Sequence, residues 1–164
     1  MKPRKAMQCA FSLVEVTLAL GVAAFSLLVV LAMLPVSVKT NQASFDQTVA
    51  NSIISQIAAD LRAAARLPPG QVSKQFSLDP SKGIKGRWDP TPQYIYFDYD
   101  GRPTNTNPNQ STAPSDVLYR ATITYRQPPT DTTSLADVRI SWPAAQSDPN
   151  KVAGSVEMFV AINR

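Results

Sequence analysis

The sequence predicts an α+β protein in which a long N-terminal helix packs against a C-terminal antiparallel β-sheet. Two observations carry this prediction. Residues 16–38 form an uncharged apolar run, and an apolar stripe with helical spacing follows it. Beyond residue 67, short β-rich runs alternate with loops, and this part of the chain holds twelve of the fourteen prolines.

The apolar run is long enough to cross a membrane, because about 20 helical residues span the hydrocarbon core of a bilayer. Three basic residues precede the run and only Lys39 follows it closely, so the positive-inside rule keeps the N-terminus in the cytoplasm. We therefore expect a transmembrane helix over residues 11–38. A cleaved secretory signal fits less well, since its apolar region is shorter and is followed by a small-x-small site.

The stripe beyond residue 38 predicts an amphipathic helix half over residues 39–67. Asp60 and Arg62 are expected off the stripe or at its edge, and the helix is expected to end near Arg66, before two prolines. Pro35 removes one backbone hydrogen bond and predicts a kink. The apolar positions of the stripe are Phe45, Val49, Ile53, Ile54, Ile57, Ala58 and Leu61.

Four β-rich runs predict the strands of a globular body over residues 68–164, and the long segments between them predict loops. Alternation of apolar and polar residues indicates one buried face, so a single antiparallel sheet covering the amphipathic helix half is the simplest arrangement. In the third run, Val138, Ile140 and Trp142 are expected to face the core, with Asp137, Arg139 and Ser141 on the other face. The runs cover residues 93–99, 117–125, 136–142 and 154–162, and the main loops are 102–115 and 143–151.

The composition excludes several kinds of chemistry. The chain has no His and a single Cys, so disulfide staples, Cys/His zinc sites and His-dependent catalysis within one chain are excluded. No nucleophile–base pair is visible, and we expect neither enzymatic activity nor a cofactor. Three of the sixteen basic residues precede Phe11, so the remainder is nearly neutral and nucleic-acid binding is not indicated.

Two local motifs have simple structural explanations. Asp98 and Asp100 have the spacing of a calcium loop, but Asn109 stands where such a loop needs Glu, and a hairpin turn at Gly101 explains both acids. A calcium site at these two residues is the alternative. The basic loop of residues 83–87 lacks the flanking strand and helix of a phosphate-binding loop and is predicted to be solvated.

Glu15 is the only ionisable side chain between residues 11 and 38. A charged side chain at the centre of a membrane costs about 2.5–3.5 kcal/mol on insertion scales, so such residues usually have a partner and a purpose. The structural alternative is that Glu15 reaches the headgroups, since it lies about one helical turn after Phe11.

Residues 10–15, Ala-Phe-Ser-Leu-Val-Glu, follow a basic leader and precede the apolar helix. This combination resembles the N-terminal motif of type IV pilins and pseudopilins, although Ala10 stands where that family usually has Gly. The resemblance implies that a prepilin peptidase cuts the Ala10–Phe11 bond, that the leader of residues 1–10 is removed, and that Phe11 is N-methylated. It also implies that Glu15 is the assembly carboxylate, which meets the Phe11 amine of a neighbouring subunit.

The pilin-like resemblance implies a structural, minor subunit of a type IV pilus or a type II secretion-like pseudopilus. Implied partners are the prepilin peptidase/N-methyltransferase, other pilin or pseudopilin subunits, the inner-membrane assembly platform and the lipid bilayer, with the body in the periplasm or on the filament. Residues 34–62 are similar to the pilin-like "cassette protein B" group associated with Verrucomicrobia. The alternative is an unprocessed, single-pass anchored binding module that holds a ligand with its sheet or with Trp88 and Trp142.

Overall fold

The fold consists of one long helix followed by a five-stranded antiparallel sheet. The computed structural model describes residues 12–68, 70–105, 107–146, 148 and 151–163. Compactness divides the chain into two units between Gln42 and Ala43. The elements are α1 (Leu13–Ala64), a 3₁₀ helix (Pro80–Gly83), β1 (Gln93–Phe97), β2 (Pro103–Asn105), β3 (Tyr119–Arg126), β4 (Thr133–Trp142) and β5 (Gly154–Asn163).

The first unit contains the part of α1 up to Gln42, and all its described residues are exposed. The helix continues through Pro35, which lies inside it. A proline cannot donate to the preceding turn, so one carbonyl there has no helical donor. The kink that the sequence predicts at Pro35 stays a prediction.

In the second unit, the predicted apolar stripe of α1 forms the helix side of the core. Ile53, Ile57 and Leu61 are completely buried, which confirms the amphipathic half of the helix. The prediction was wrong for Phe45, which is 59% exposed. The buried stretch begins only at Ala50, with Val49 partly buried beside it, so Phe45 lies one turn before the sheet covers the helix.

The sheet has the strand order β2-β1-β3-β4-β5, and every neighbouring pair is antiparallel. Four of its strands fall on the predicted runs. The short strand β2 lies inside the segment predicted to be a loop, and that prediction was wrong. Pro103 and only three residues make β2 hard to recognise, because the strand exists through pairing with β1 across a turn rather than through its own pattern.

One face of the sheet, here called the inner face, belongs to the core that α1 completes. Its cross-strand rows include Ile95, Ala121 and Ile140, which are register partners on three adjacent strands. Because side chains alternate across a strand, the residues between them form the outer face. The packing of apolar rows against the helix is the largest stabilising contribution that this architecture offers.

The outer face is less solvated than the alternation predicts. Asp137, Arg139 and Ser141 lie on the face opposite the core residues of β4, as predicted, but Asp137 and Ser141 are only 8% and 4% exposed. Asp137 Oδ2 accepts a 2.6 Å charge-assisted hydrogen bond from Arg126 Nη2 on the neighbouring strand, whereas Asp137 Oδ1 is buried without a hydrogen-bond partner.

Asp60 on α1 is more buried than the sequence predicts. It was expected at the edge of the stripe, but it is 8% exposed and its carboxylate accepts hydrogen bonds from the backbone N–H groups of Gln75 and Phe76 at 3.3 and 3.1 Å. These bonds hold the segment after the helix against its last turns. α1 ends at Ala64, two residues before the predicted end, and turns follow.

The loop of residues 83–87 is only partly solvated, and this corrects the sequence prediction. Gly83 is buried, and its carbonyl accepts a 2.7 Å hydrogen bond from the Ser134 hydroxyl. A Cβ atom at Gly83 would lie 2.8 Å from side-chain carbons of Ser134 and Tyr125, so this close approach requires glycine. Lys85 and Arg87, further along the loop, are exposed as expected.

Candidate functional site

The apolar part of α1 is the most unusual surface in the described chain. Sixteen large apolar side chains between Leu13 and Val38 are 46–80% exposed. Complete burial of one such side chain contributes about 1.5–3 kcal/mol, so covering this surface is worth tens of kcal/mol. Exposed patches of this size mark membrane or protein contacts.

Two of the three hydroxyl groups between Leu13 and Val38, those of Thr17 and Ser26, form hydrogen bonds inside the helix. Thr17 donates to the carbonyl of Val14, and Ser26 to that of Val22, each at 2.9 Å. Thr40 does the same one turn back, also at 2.9 Å. A hydroxyl bonded to its own helix needs no water, which is the arrangement that an apolar environment requires.

The carboxylate of Glu15 has no such hydrogen bond within the helix. It lies in the first turn of α1, where its backbone N–H donates to Ser12 at 2.9 Å, but no described residue forms a hydrogen bond or ion pair with its carboxylate. The helix dipole favours a carboxylate in this turn by about 0.3–1 kcal/mol. That is smaller than the cost of about 2.5–3.5 kcal/mol for a charge deep in a bilayer.

Two alanines form a shallow groove beside Glu15. Glu15, Ala19 and Ala23 follow one another at four-residue spacing and line this groove together with Val16 and Leu20. Residues four apart lie on one helix face, so the small side chains leave room directly below the carboxylate. Such small residues let the backbone of another helix approach closely.

Ala10 and Phe11, the two residues of the predicted cleavage site, lie outside the described residues. Pro35 lies within the same exposed apolar segment, 20 positions after Glu15 in the sequence.

The carboxylate of Asp98 organises a turn that contains Asp100 and Gly101. Asp98 Oδ1 accepts hydrogen bonds from the backbone N–H groups of Asp100 and Arg102 at 3.0 and 2.8 Å, and Gly101 has φ of 75°. The motif is therefore a turn between β1 and β2, as the hairpin interpretation has it. In the described ranges, no group of three or more His, Cys, Asp or Glu side chains is arranged for a metal ion.

The two tryptophans have different roles. Trp142 is 9% exposed and packs edge-on against Tyr119, with ring centroids 6.0 Å apart, so it belongs to the core. Trp88 is 43% exposed, and its indole N–H donates to the carbonyl of Tyr125 at 2.9 Å. A ligand surface formed by both rings does not fit this structure, because Trp142 packs in the core.

Two polar residues of the outer face, Tyr96 and Arg120, are buried although their sequence positions do not indicate it. Tyr96 is completely buried and Arg120 is 9% exposed. Alternation assigns both to the solvent side of their strands, so the pattern contains no signal of their burial.

Comparison with known proteins places no constraint on the function: no family model, no curated protein and no solved structure matches the chain. The described residues contain one helix, α1, that is long and apolar enough to cross a membrane. The fold and this apolar segment define an α+β protein with a candidate membrane anchor.

Proposed function

We propose that this chain is a pilin-like structural subunit that resides in the inner membrane and assembles through its N-terminal helix into a type IV pilus or a type II secretion-like pseudopilus. Prepilin peptidase removes residues 1–10, and Phe11 becomes the methylated N-terminus. The observation that carries the proposal is an exposed apolar helix segment with one carboxylate, Glu15, that has no partner among the described residues.

In this proposal the exposed segment is covered first by the lipid bilayer and later by neighbouring subunits. As a monomer, it is covered by the lipid bilayer with the globular unit in the periplasm. In a filament, the same side chains are covered by equivalent helices of neighbouring subunits and by the assembly platform during transfer. Both environments are apolar, so the hydroxyls of Thr17 and Ser26 remain satisfied within their own helix in each.

Glu15 provides the register between neighbouring helices. An isolated ammonium and an isolated carboxylate are both costly in an apolar medium, and each neutralises the other when they meet. If the Phe11 amine of one subunit meets Glu15 of the next, the two charges neutralise each other at only one axial offset between the two helices. The groove at Ala19 and Ala23 lets the neighbouring helix approach the carboxylate.

N-terminal mass spectrometry of the membrane-extracted protein tests processing. In cells with an active prepilin peptidase, we expect a chain that begins at methylated Phe11. An intact Met1 under those conditions contradicts the proposal and favours the alternative, an unprocessed anchored binding module. Ala10→Gly is the matched variant: it should be cut at least as efficiently, because Gly is the usual residue before this bond in the family that the motif resembles.

Substitution Glu15→Gln tests assembly separately from insertion. The neutral amide lowers the cost of the segment in lipid, so insertion and processing should persist while incorporation into filaments falls at least about tenfold. Glu157→Gln is the matched control, since Glu157 is the other glutamate of the chain and lies exposed on β5. Incorporation of the Glu15→Gln subunit at the level of the control contradicts the register role.

A further inference from the structure

Two hydrogen-bond donors are buried on the outer face without an acceptor. Arg120 is 9% exposed and its Nε–H has no hydrogen-bond partner, while Tyr96 is completely buried and its hydroxyl has none either. No described residue forms an ion pair with the Arg120 guanidinium. Nε is the nitrogen of the Arg120 side chain that is both buried and without a hydrogen-bond partner. A buried donor without an acceptor is costly in a folded protein, and the acceptor for an Arg donor is usually a carboxylate or another anion.

The two donors are neighbours. Tyr96 on β1 and Arg120 on β3 are register partners, and directly opposed residues of antiparallel strands have Cβ atoms about 4.5–5.5 Å apart. Ser141 on β4 is the next residue of the same row and is also buried. The row is therefore a polar strip across three strands, on the face opposite the apolar core.

The acids of the outer face are not placed to neutralise Arg120. Asp137 lies four residues from Ser141 along β4 and is bonded to Arg126. Glu157 on β5 is opposite Arg139, a second cation that lies diagonal to Arg120 in the register. The local charge balance around Arg120 is therefore positive.

We propose that Arg120 and Tyr96 form a binding site for a carboxylate group that is supplied from outside this chain. The guanidinium fork binds the two oxygens of a carboxylate in a planar arrangement, and the phenol donates one further hydrogen bond. One cation and one neutral donor match a monovalent carboxylate. A phosphate monoester carries about −1.5 to −2 charges near neutral pH and needs more compensation.

The protonation state of Tyr96 agrees with this role. Burial raises the pKa of the Tyr96 phenol, and Arg120 opposes that rise only in part. The phenol therefore stays protonated at neutral pH and acts as a donor. The carboxylate comes either from an acidic peptide segment of another polypeptide or from a free small acid, and the two sources share the same contacts.

Nuclear magnetic resonance of the full chain in detergent micelles tests the site, with the Arg120 Nε–H resonance as reporter. The probes are sodium acetate, an Asp-containing peptide with blocked termini, inorganic phosphate and sodium chloride, each at constant ionic strength. We expect saturable shifts of this resonance with acetate and with the peptide, and none with chloride. If the peptide binds more tightly than acetate, the carboxylate comes from another polypeptide. If the two bind equally, it comes from a free small acid.

Matched variants separate the site from general charge effects. Tyr96→Phe removes one hydroxyl and should weaken carboxylate binding about tenfold, which corresponds to about 1.4 kcal/mol. Tyr94→Phe, two residues along the same strand and face, should leave the affinity within about twofold. Arg120→Gln should abolish saturable binding, measured through the backbone amide of residue 120, whereas Arg126→Gln should preserve it.

Three results overturn the proposal. The first is an Arg120 resonance that does not respond to acetate or to the acidic peptide in the folded protein. The second is an equal response to chloride, which reports ionic strength alone. The third is phosphate binding tighter than carboxylate binding, which assigns a different ligand to the site.

Discussion

Replacing Asp60 with alanine tests how the end of α1 is held to the body. The substitution removes both acceptors of the Gln75 and Phe76 backbone N–H groups, one of which is buried and the other partly buried. Leaving a buried donor unpaired costs about 1–3 kcal/mol, so two donors with unequal burial should cost about 2–4 kcal/mol together. This is a large fraction of the roughly 5–15 kcal/mol that stabilises a typical domain.

The assay is thermal unfolding of the full chain in detergent, followed by the circular dichroism of the sheet. For a globular unit of this size, a loss of about 3 kcal/mol lowers Tm by about 10 °C. Asp131→Ala is the matched control, because Asp131 is 79% exposed in its ion pair with Lys85 and such pairs contribute about 0–1 kcal/mol. A shift in Asp60→Ala no larger than in the control refutes the reasoning about the buried carboxylate.

Two further substitutions test the packing of the sheet in the same unfolding assay. Gly154→Ala should destabilise by about 1–3 kcal/mol or more, because its Cβ would collide with Cζ2 of Trp142 and lie 2.5 Å from Cε2. The neighbouring exposed Ser155→Ala should change stability by less than about 0.5 kcal/mol, and equal effects at the two positions would contradict the clash. Tyr119→Phe should cost about 1 kcal/mol, since it removes the 3.0 Å hydrogen bond to Asp46. Burial and this bond raise the pKa of Tyr119 above its value in the unfolded chain. The stabilisation that comes from the neutral phenol is therefore fully present below about pH 10 and is lost as the pH rises further. Tyr119→Phe should therefore flatten the alkaline unfolding curve above that pH, and an unchanged curve assigns the alkaline transition to other groups.

Periodicity predicts the elements of this fold well because local patterns carry the necessary information. Ile53, Ile57 and Leu61 recur at helical spacing, and all three lie in the core. The strands β1 and β3–β5 fall on runs of alternating or β-branched residues bounded by Pro and Gly. Strand β2 lacks such a pattern, since its pairing depends on the β1 register and on the turn that Asp98 organises.

The candidate assembly site also follows from local sequence, because a lone carboxylate in an apolar run is visible without any tertiary contact. Glu15 and the exposed helix around it are read from composition and spacing. Local sequence likewise contains the motif around Ala10 and Phe11 on which the proposed processing is based. The role of these residues in a filament remains a proposal that processing and incorporation experiments test.

By itself, the sequence determined the long helix, the apolar length of its first part, most of the strands and the isolation of Glu15, because each depends on residues close together in the chain. Only the tertiary structure decided which polar residues, such as Asp60 and Arg120, are buried and which groups they contact. Asp60 finds its donors 15 and 16 residues away, in an irregular segment. Arg120 is buried by its place within the sheet, although alternation assigns it to solvent. Burial and hydrogen bonding of a polar group depend on which distant segments meet it, and no local pattern encodes that meeting.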